Sequence, residues 1–191
     1  IGAVVRLAPI KDVKTMIYAF FELHERLPKV RLHIMGGVDD EEYGAECHAL
    51  VETLGVRDLI FTGRVNVVEY MEKLDFTILT SISEGQPLSV LESLAARRPC
   101  VTTEVGCCRE LLEGAPGDDF GVAGFLTPPM YRKGLADAME RMCTSRARRI
   151  EMGERGQRRV ATYFLHEQML ANYRALYDET ARAFDLPREG E

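Results

Sequence analysis

The chain has 191 residues, 46% apolar and 28% charged, with 24 Lys and Arg against 30 Asp and Glu for a net charge of −6. That length and composition suit one globular domain with a substantial core, and the acidic balance excludes a general nucleic-acid binder, which needs excess cations to face phosphate. No apolar run approaches the roughly 20 residues that a bilayer-crossing helix requires, and no signal peptide is visible. Five scattered cysteines, an odd number, fit a reducing compartment better than a disulfide framework, so the cytosol is the expected address. Ile1 already stands inside an apolar strand, which suggests a piece of a longer parent whose targeting signals lie elsewhere.

Gly2 to Leu7 reads as a buried strand. Asp12 then caps a helix whose apolar face runs Met16, Ala19, Phe20, Leu23, Leu27 at helical spacing. Val30 to Met35 is a second strand ending at Gly36-Gly37. A polar helix follows from Asp40 to Leu54 and closes at Gly55. Leu59 to Thr62 is a short strand ending in Gly63-Arg64, Val68 to Leu74 a brief helix, and Phe76 to Leu79 the next strand. Pro87 is placed as the first residue of the following helix, where a fixed φ and a missing amide hydrogen cost nothing. Leu88, Val90, Leu91, Leu94 and Ala95 are read as its buried stripe. Cys100 to Thr103 is a strand, Arg109 to Leu112 a helix, Gly114 to Gly121 a surface loop and Val122 to Leu126 a last strand. Helices fill Tyr131 to Met142, Arg146 to Thr162 and Leu165 to Phe184, and the polar tail, 186–191, is expected to fray.

Strands apolar on both sides that alternate with helices define an α/β fold: a Rossmann-like parallel sheet with helices on both faces, in one domain over 1–185. Ligands of such sheets bind at the carboxyl ends of the strands. Arg6, Gly36, Gly63, Ser81 and Gly106 all follow strand ends, so one rim collects the candidate residues.

The densest of these lies in Ser81-Ile-Ser-Glu-Gly-Gln-Pro-Leu-Ser-Val-Leu-Glu92. Glu84 sits in the loop and Glu92 within the helix, roughly 7 to 8 Å along its axis from Pro87. The helix N-terminus between them offers free amides to phosphate, while the carboxylates suit sugar and ribose hydroxyls. The turn Gly85-Gln86 permits close backbone approach. A diphosphate beside two carboxylates requires cations, and Arg6 with Lys11, leaving the first strand, would provide them. The His, Asp and Glu residues show no metal-ligand spacing, so no metal is predicted and no cofactor beyond a bound nucleotide co-substrate. Cys107-Cys108 is read as core or loop packing, and Asp39-Asp40 and Asp118-Asp119 as solvated loops or, at most, a helix cap. The basic run Arg146, Arg148, Arg149, Arg155, Arg158, Arg159 is read as a solvated helix face, with a membrane-edge or partner contact as its sharper use.

Glu84-x7-Glu92, followed by Ser93-Leu-Ala-Ala and Pro99-Cys-Val-Thr, resembles the signature of retaining GT-B glycosyltransferases of family 4. The wording Thr80-Ser-Ile-Ser-Glu-Gly-Gln-Pro-Leu with Arg6-Leu-Ala-Pro-Ile-Lys-Asp is most similar to the Pel exopolysaccharide transferases. The resemblance covers Val4 to Phe184. It implies a C-terminal donor-binding domain for a nucleotide sugar, UDP-linked, transferring a hexose or hexosamine to a glycan acceptor. Arg6 and Lys11 would hold the diphosphate. Glu84 with the Gly85, Gln86, Pro87 and Leu88 backbone would hold the sugar, and Glu92 the ribose. Arg64, in the loop after Gly63, would lie against the base. One departure is Val5, where many members have Gly before the Arg. It further implies an N-terminal acceptor domain on the same parent, association with a synthase complex or membrane edge, and no turnover by this piece alone. The final helix would pack toward that domain, leaving Leu165, Met169, Tyr173 and Leu176 partly uncovered. A GT-B-fold sugar-nucleotide epimerase shares the same nucleotide logic. A receiver or flavodoxin-like module shares only the βα pattern, and the strand ends carry Arg6 and Thr62-Gly63 where a receiver needs carboxylates.

Overall fold

The computed structural model describes residues 1–184, so the expected frayed tail lies outside the described residues. Six strands, β1 (Gly2–Val4), β2 (Leu32–Met35), β3 (Leu59–Gly63), β4 (Thr77–Leu79), β5 (Cys100–Thr103) and β6 (Gly124–Thr127), form one sheet in the order β3-β2-β1-β4-β5-β6. Every neighbouring pair is parallel. The intervening helices are α1 (Val13–Arg26), α2 (Glu41–Leu54), α3 (Val67–Met71), α4 (Leu88–Ala95) and α5 (Cys108–Glu113), with a 3₁₀ turn at Pro9–Lys11. The chain then runs through α6 (Arg132–Cys143), α7 (Arg146–Tyr163) and α8 (His166–Ala183). This is the predicted Rossmann-like α/β sheet.

Strand side chains alternate between faces, and the sheet uses both. Ala3, Ile34, Ile78 and Val101 bury against Phe20 and Leu23 of α1, Cys47 of α2, and Leu135 and Met139 of α6. Their neighbours turn the other way: Leu79 and Cys100 meet Val90, Leu94 and Leu111 of α4 and α5, and Met35 meets Met71 and Leu74. Local capping chemistry behaves as read. Asp12 accepts from the Thr15 amide at 3.3 Å, Asp40 accepts from the Tyr43 amide at 2.9 Å, and Gly55 closes α2 at φ 62°. Cys108 is core and Cys107 half-buried, and burial pushes the Cys47 and Cys100 thiols up to about 11.

Several boundaries move. β1 stops at Val4, and Leu7 makes an isolated parallel bridge to Val38. α3 stops at Met71 because Lys73 and Leu74 bond back three residues, to Tyr70 and Met71, rather than four. α4 starts at Leu88, with Pro87 as its N-cap. Leu88 is 68% exposed, so the buried stripe begins at Val90 and continues at Leu94.

The basic helix departs most from expectation. Arg159 is fully buried, not solvated. Its guanidinium donates to both Asp118 oxygens, at 2.5 and 3.1 Å, and to the carbonyls of Leu111, Leu112 and Gly121. Asp118 is therefore a buried ion-pair partner and not a loop carboxylate in water. Met152, Gly153, Gly156 and Arg159 share the face of α7 turned toward α4, where a Cβ on Gly153 would fall 2.2 Å from the Arg97 carbonyl oxygen. Such close seating carries Arg159 inward. Arg149 is also occupied, donating to the Met142 and Cys143 carbonyls and pairing with Asp75. Arg146, Arg148 and Arg158 remain exposed. No residue of α8 is buried, and Leu165 at its N-cap and its Met169, Tyr173 and Leu176 are all exposed.

Candidate functional site

From β1 the chain moves outward to β2 and β3, whereas from β4 it moves the opposite way to β5 and β6. Loops leaving these two adjacent strands diverge and open a crevice at their carboxyl ends. Arg6 leaves β1, Lys11 ends the 3₁₀ turn, and Glu84 lies between β4 and α4. All three line one cavity of about 590 Å³. Gly36, Arg64, Gln86, Pro87 and Leu88 line it too, with Val65, Val67 and Ser89. Gly36 can sit there only without a side chain, since a Cβ would fall 2.0 Å from the Val5 carbonyl oxygen.

The cations are held by carboxylates. Lys11 Nζ donates to Glu84 Oε1 at 2.6 Å with both side chains largely covered, and Ser81 Oγ donates to the same oxygen at 2.6 Å. Arg6 Nη1 donates to Asp39 Oδ2, so Asp39 is an ion-pair partner at the site and not a bare solvated loop residue. Arg64 makes no ion pair among the described residues, and its guanidinium lies beside Gly37. The cavity thus presents a neutralised Arg6, a neutralised Lys11 and one uncompensated cation. Such a surface favours an anion that can share these donors.

The other predicted residues sit around this core. Gly85 is exposed, has open space where a side chain would be, and lies outside the lining between Glu84 and Gln86. Gly63 lies outside the lining, and its carbonyl accepts from the Gly36 amide at 2.9 Å. Glu92 does not share the cavity of Glu84. It is exposed and lines an adjoining hollow of about 360 Å³ with Val67, Val68, Met71, Ala95 and Ala96. Val67 borders both, so the two hollows are neighbours along α4. A separate hollow of about 420 Å³, around Ile1, His33, Tyr70 and Arg149, lies near the amino ends of the strands and contains none of the predicted residues.

Two contributions were not identified from the sequence. The sequence marks Asp39 only as a loop or cap residue, and Gly106 only as a strand-end glycine. Gly106 adopts φ 51°, and a Cβ there would fall 2.3 Å from the carbonyl oxygens of Glu84 and Gly85. The Cys107 amide also donates to the Gly85 carbonyl at 3.0 Å. The loop carrying Glu84 is therefore backed by the turn after β5. Among the described residues no group of three or more His, Cys, Asp or Glu converges as a metal-holding cluster, and no helix is long and apolar enough to cross a membrane.

An open parallel sheet with a cation-lined crevice at its switch point defines the Rossmann-like class of fold. The chain matches the family described as glycosyl transferases group 1 over residues 1–145, and it belongs to that family. It is 27% identical over 175 residues to the N-acetyl-alpha-D-glucosaminyl L-malate synthase of Bacillus anthracis, covering 91% of this chain and 43% of that protein. Its fold superposes on Anabaena Alr3699/HepE, solved in complex with UDP-glucose, with a TM-score of 0.78 at 22% identity, covering 91% of this chain and 48% of that one. It also superposes on the C-terminal domain of LpcC, a glycosyl transferase group 1 family protein from Francisella tularensis, with a TM-score of 0.74 at 20% identity, covering 86% of this chain and 85% of that one. The chain spans less than half the length of the Bacillus and Anabaena proteins.

Proposed function

We propose that this chain is the donor-binding domain of a retaining glycosyltransferase of family 4 type, taking a UDP-linked hexose or hexosamine. The observation that carries the reading is the convergence of Arg6, Lys11 and Glu84, from loops after two different strands, on one cavity at the switch point. Membership of the group 1 family supports transferase chemistry. The UDP-glucose complex of the Anabaena neighbour supports the choice of nucleotide sugar. Coverage of the Francisella C-terminal domain supports the domain assignment.

In this reading the diphosphate enters between Arg6 and Lys11 and shares their N–H donors with Asp39 and Glu84, and the same donors meet the further charge that develops on the leaving phosphate as the sugar–phosphate bond breaks. Glu84 presents a carboxylate oxygen to the sugar hydroxyls, with the Gly85 to Leu88 backbone beside it. Glu92, one turn beyond Leu88, accepts from the ribose in the adjoining hollow, and Arg64 faces the base. No metal is assigned, and Arg6, Lys11 and Arg64 are the cations that line the cavity. The acceptor glycan is held by a second, N-terminal domain, in exopolysaccharide synthesis on the cytoplasmic side, and this chain alone turns nothing over.

Calorimetric titration with UDP, GDP and ADP, with and without EDTA, tests it. UDP is expected to bind selectively and indifferently to EDTA, and Lys11→Ala and Glu92→Ala each to weaken it about tenfold, the worth of a hydrogen bond to a charged group. Absence of binding by all three nucleotides, or binding that neither substitution alters, would overturn the assignment.

A further inference from the structure

We propose that Ser81 is a positioning residue for Glu84, setting which carboxylate oxygen faces the cavity. The proposal rests on the donor-site reading above. Ser81 is fully buried two residues beyond β4 and is not among the residues that line the cavity. Packing alone would be served by alanine, and a buried hydroxyl is costly unless bonded. Its Oγ donates to Glu84 Oε1 at 2.6 Å, the same atom that accepts from Lys11 Nζ at 2.6 Å.

Two donors on one oxygen fix the rotation of the carboxylate. They leave Oε2, which has no protein partner among the described residues, to accept from a hydroxyl in the cavity. The platform beneath is rigid. The Ser81 carbonyl accepts from Thr103 Oγ1 at 2.7 Å, and the next amide, Ile82, donates to the Ile10 carbonyl at 2.9 Å. Thr80 Oγ1 donates to the Lys11 and Asp12 carbonyls at 2.9 and 3.1 Å. Adjacent hydroxyls therefore register both members of the Lys11–Glu84 pair against β4. Because Ser81 acts only through Glu84, its loss should affect the sugar and spare the nucleotide.

The test is titration of the chain with UDP-glucose and with UDP. Ser81→Ala should raise the ratio of the two dissociation constants about fivefold or more, while UDP alone moves less than about twofold. In a Glu84→Ala background the same substitution should leave the ratio unchanged. Ser81→Cys, of similar size but a weaker donor, should give an intermediate ratio and serves if thermal unfolding shows the alanine variant misfolded. Equal weakening of both ligands, or an unchanged ratio in a folded variant, overturns the role of Ser81 and leaves the donor site standing. Failure of the unsubstituted chain to bind UDP overturns both.

Discussion

Glu84 and Lys11 are 73 residues apart in sequence and 2.6 Å apart in space, each compensating the other where little water reaches. The covered Lys11–Glu84 pair holds that cation in place before a diphosphate arrives, which lowers the ordering cost of binding, whereas Arg6 pairs with Asp39 at the exposed edge. The backbone behind Glu84 depends on one residue without a side chain. Gly106→Ala would need both a left-handed conformation and a Cβ inside the Glu84 and Gly85 carbonyls. It is expected to cost about 1 to 3 kcal/mol of stability and to weaken UDP-glucose binding with it. Denaturant unfolding and calorimetry on one preparation check this, and an unchanged affinity would mean that the turn after β5 does not set the donor loop.

At the scale of elements, the clasp between the loop 114–121 and α7 is the feature most exposed to pH. Hydrogen bonding by Arg159 holds the Asp118 carboxyl below its ordinary value of 3.8. A depressed folded value means that the stabilisation is fully present above the unfolded value and is lost as pH falls through the folded one. Asp118→Ala leaves a buried guanidinium with no counter-charge and should cost about 3 to 5 kcal/mol at neutral pH. The gap between wild type and variant in denaturant unfolding should narrow as pH falls below 3.8. A gap independent of pH would show that the carbonyls of Leu111, Leu112 and Gly121, and not Asp118, hold the arginine.

Across the whole molecule, the sheet and α1 to α7 pack into three clusters of buried apolar side chains, but α8 stands outside them. None of its residues is buried, and Met169, Tyr173 and Leu176 lie exposed along it, with Leu165 exposed at its N-cap. A helix with so little packing opens locally at small cost. Its amides should exchange with solvent at least about tenfold faster than those of α1, whose Met16, Ile17, Phe20 and Leu23 are fully buried. Hydrogen exchange read by mass spectrometry tests this, and protection equal to that of α1 would show that α8 packs in solution in a way this arrangement lacks.

The sequence by itself determined what local chemistry decides. Two-sided apolar strands and helix-period stripes specified the α/β alternation. Asp12, Asp40 and Gly55 marked helix ends because capping involves neighbours a few residues away. Strand ends followed from the same pattern, which is why Arg6, Lys11 and Glu84 could be placed on one rim. Tertiary structure alone decided the strand order, the backing of the Glu84 loop by Gly106, the pairing of Arg6 with Asp39, and the separation of Glu92 into its own hollow. It also reversed the reading of Arg159. A guanidinium among charged helical neighbours looks solvated until a carboxylate 41 residues away and three distant carbonyls satisfy it in the interior. Burial of a charge depends on partners brought from remote segments, and no local pattern carries that information.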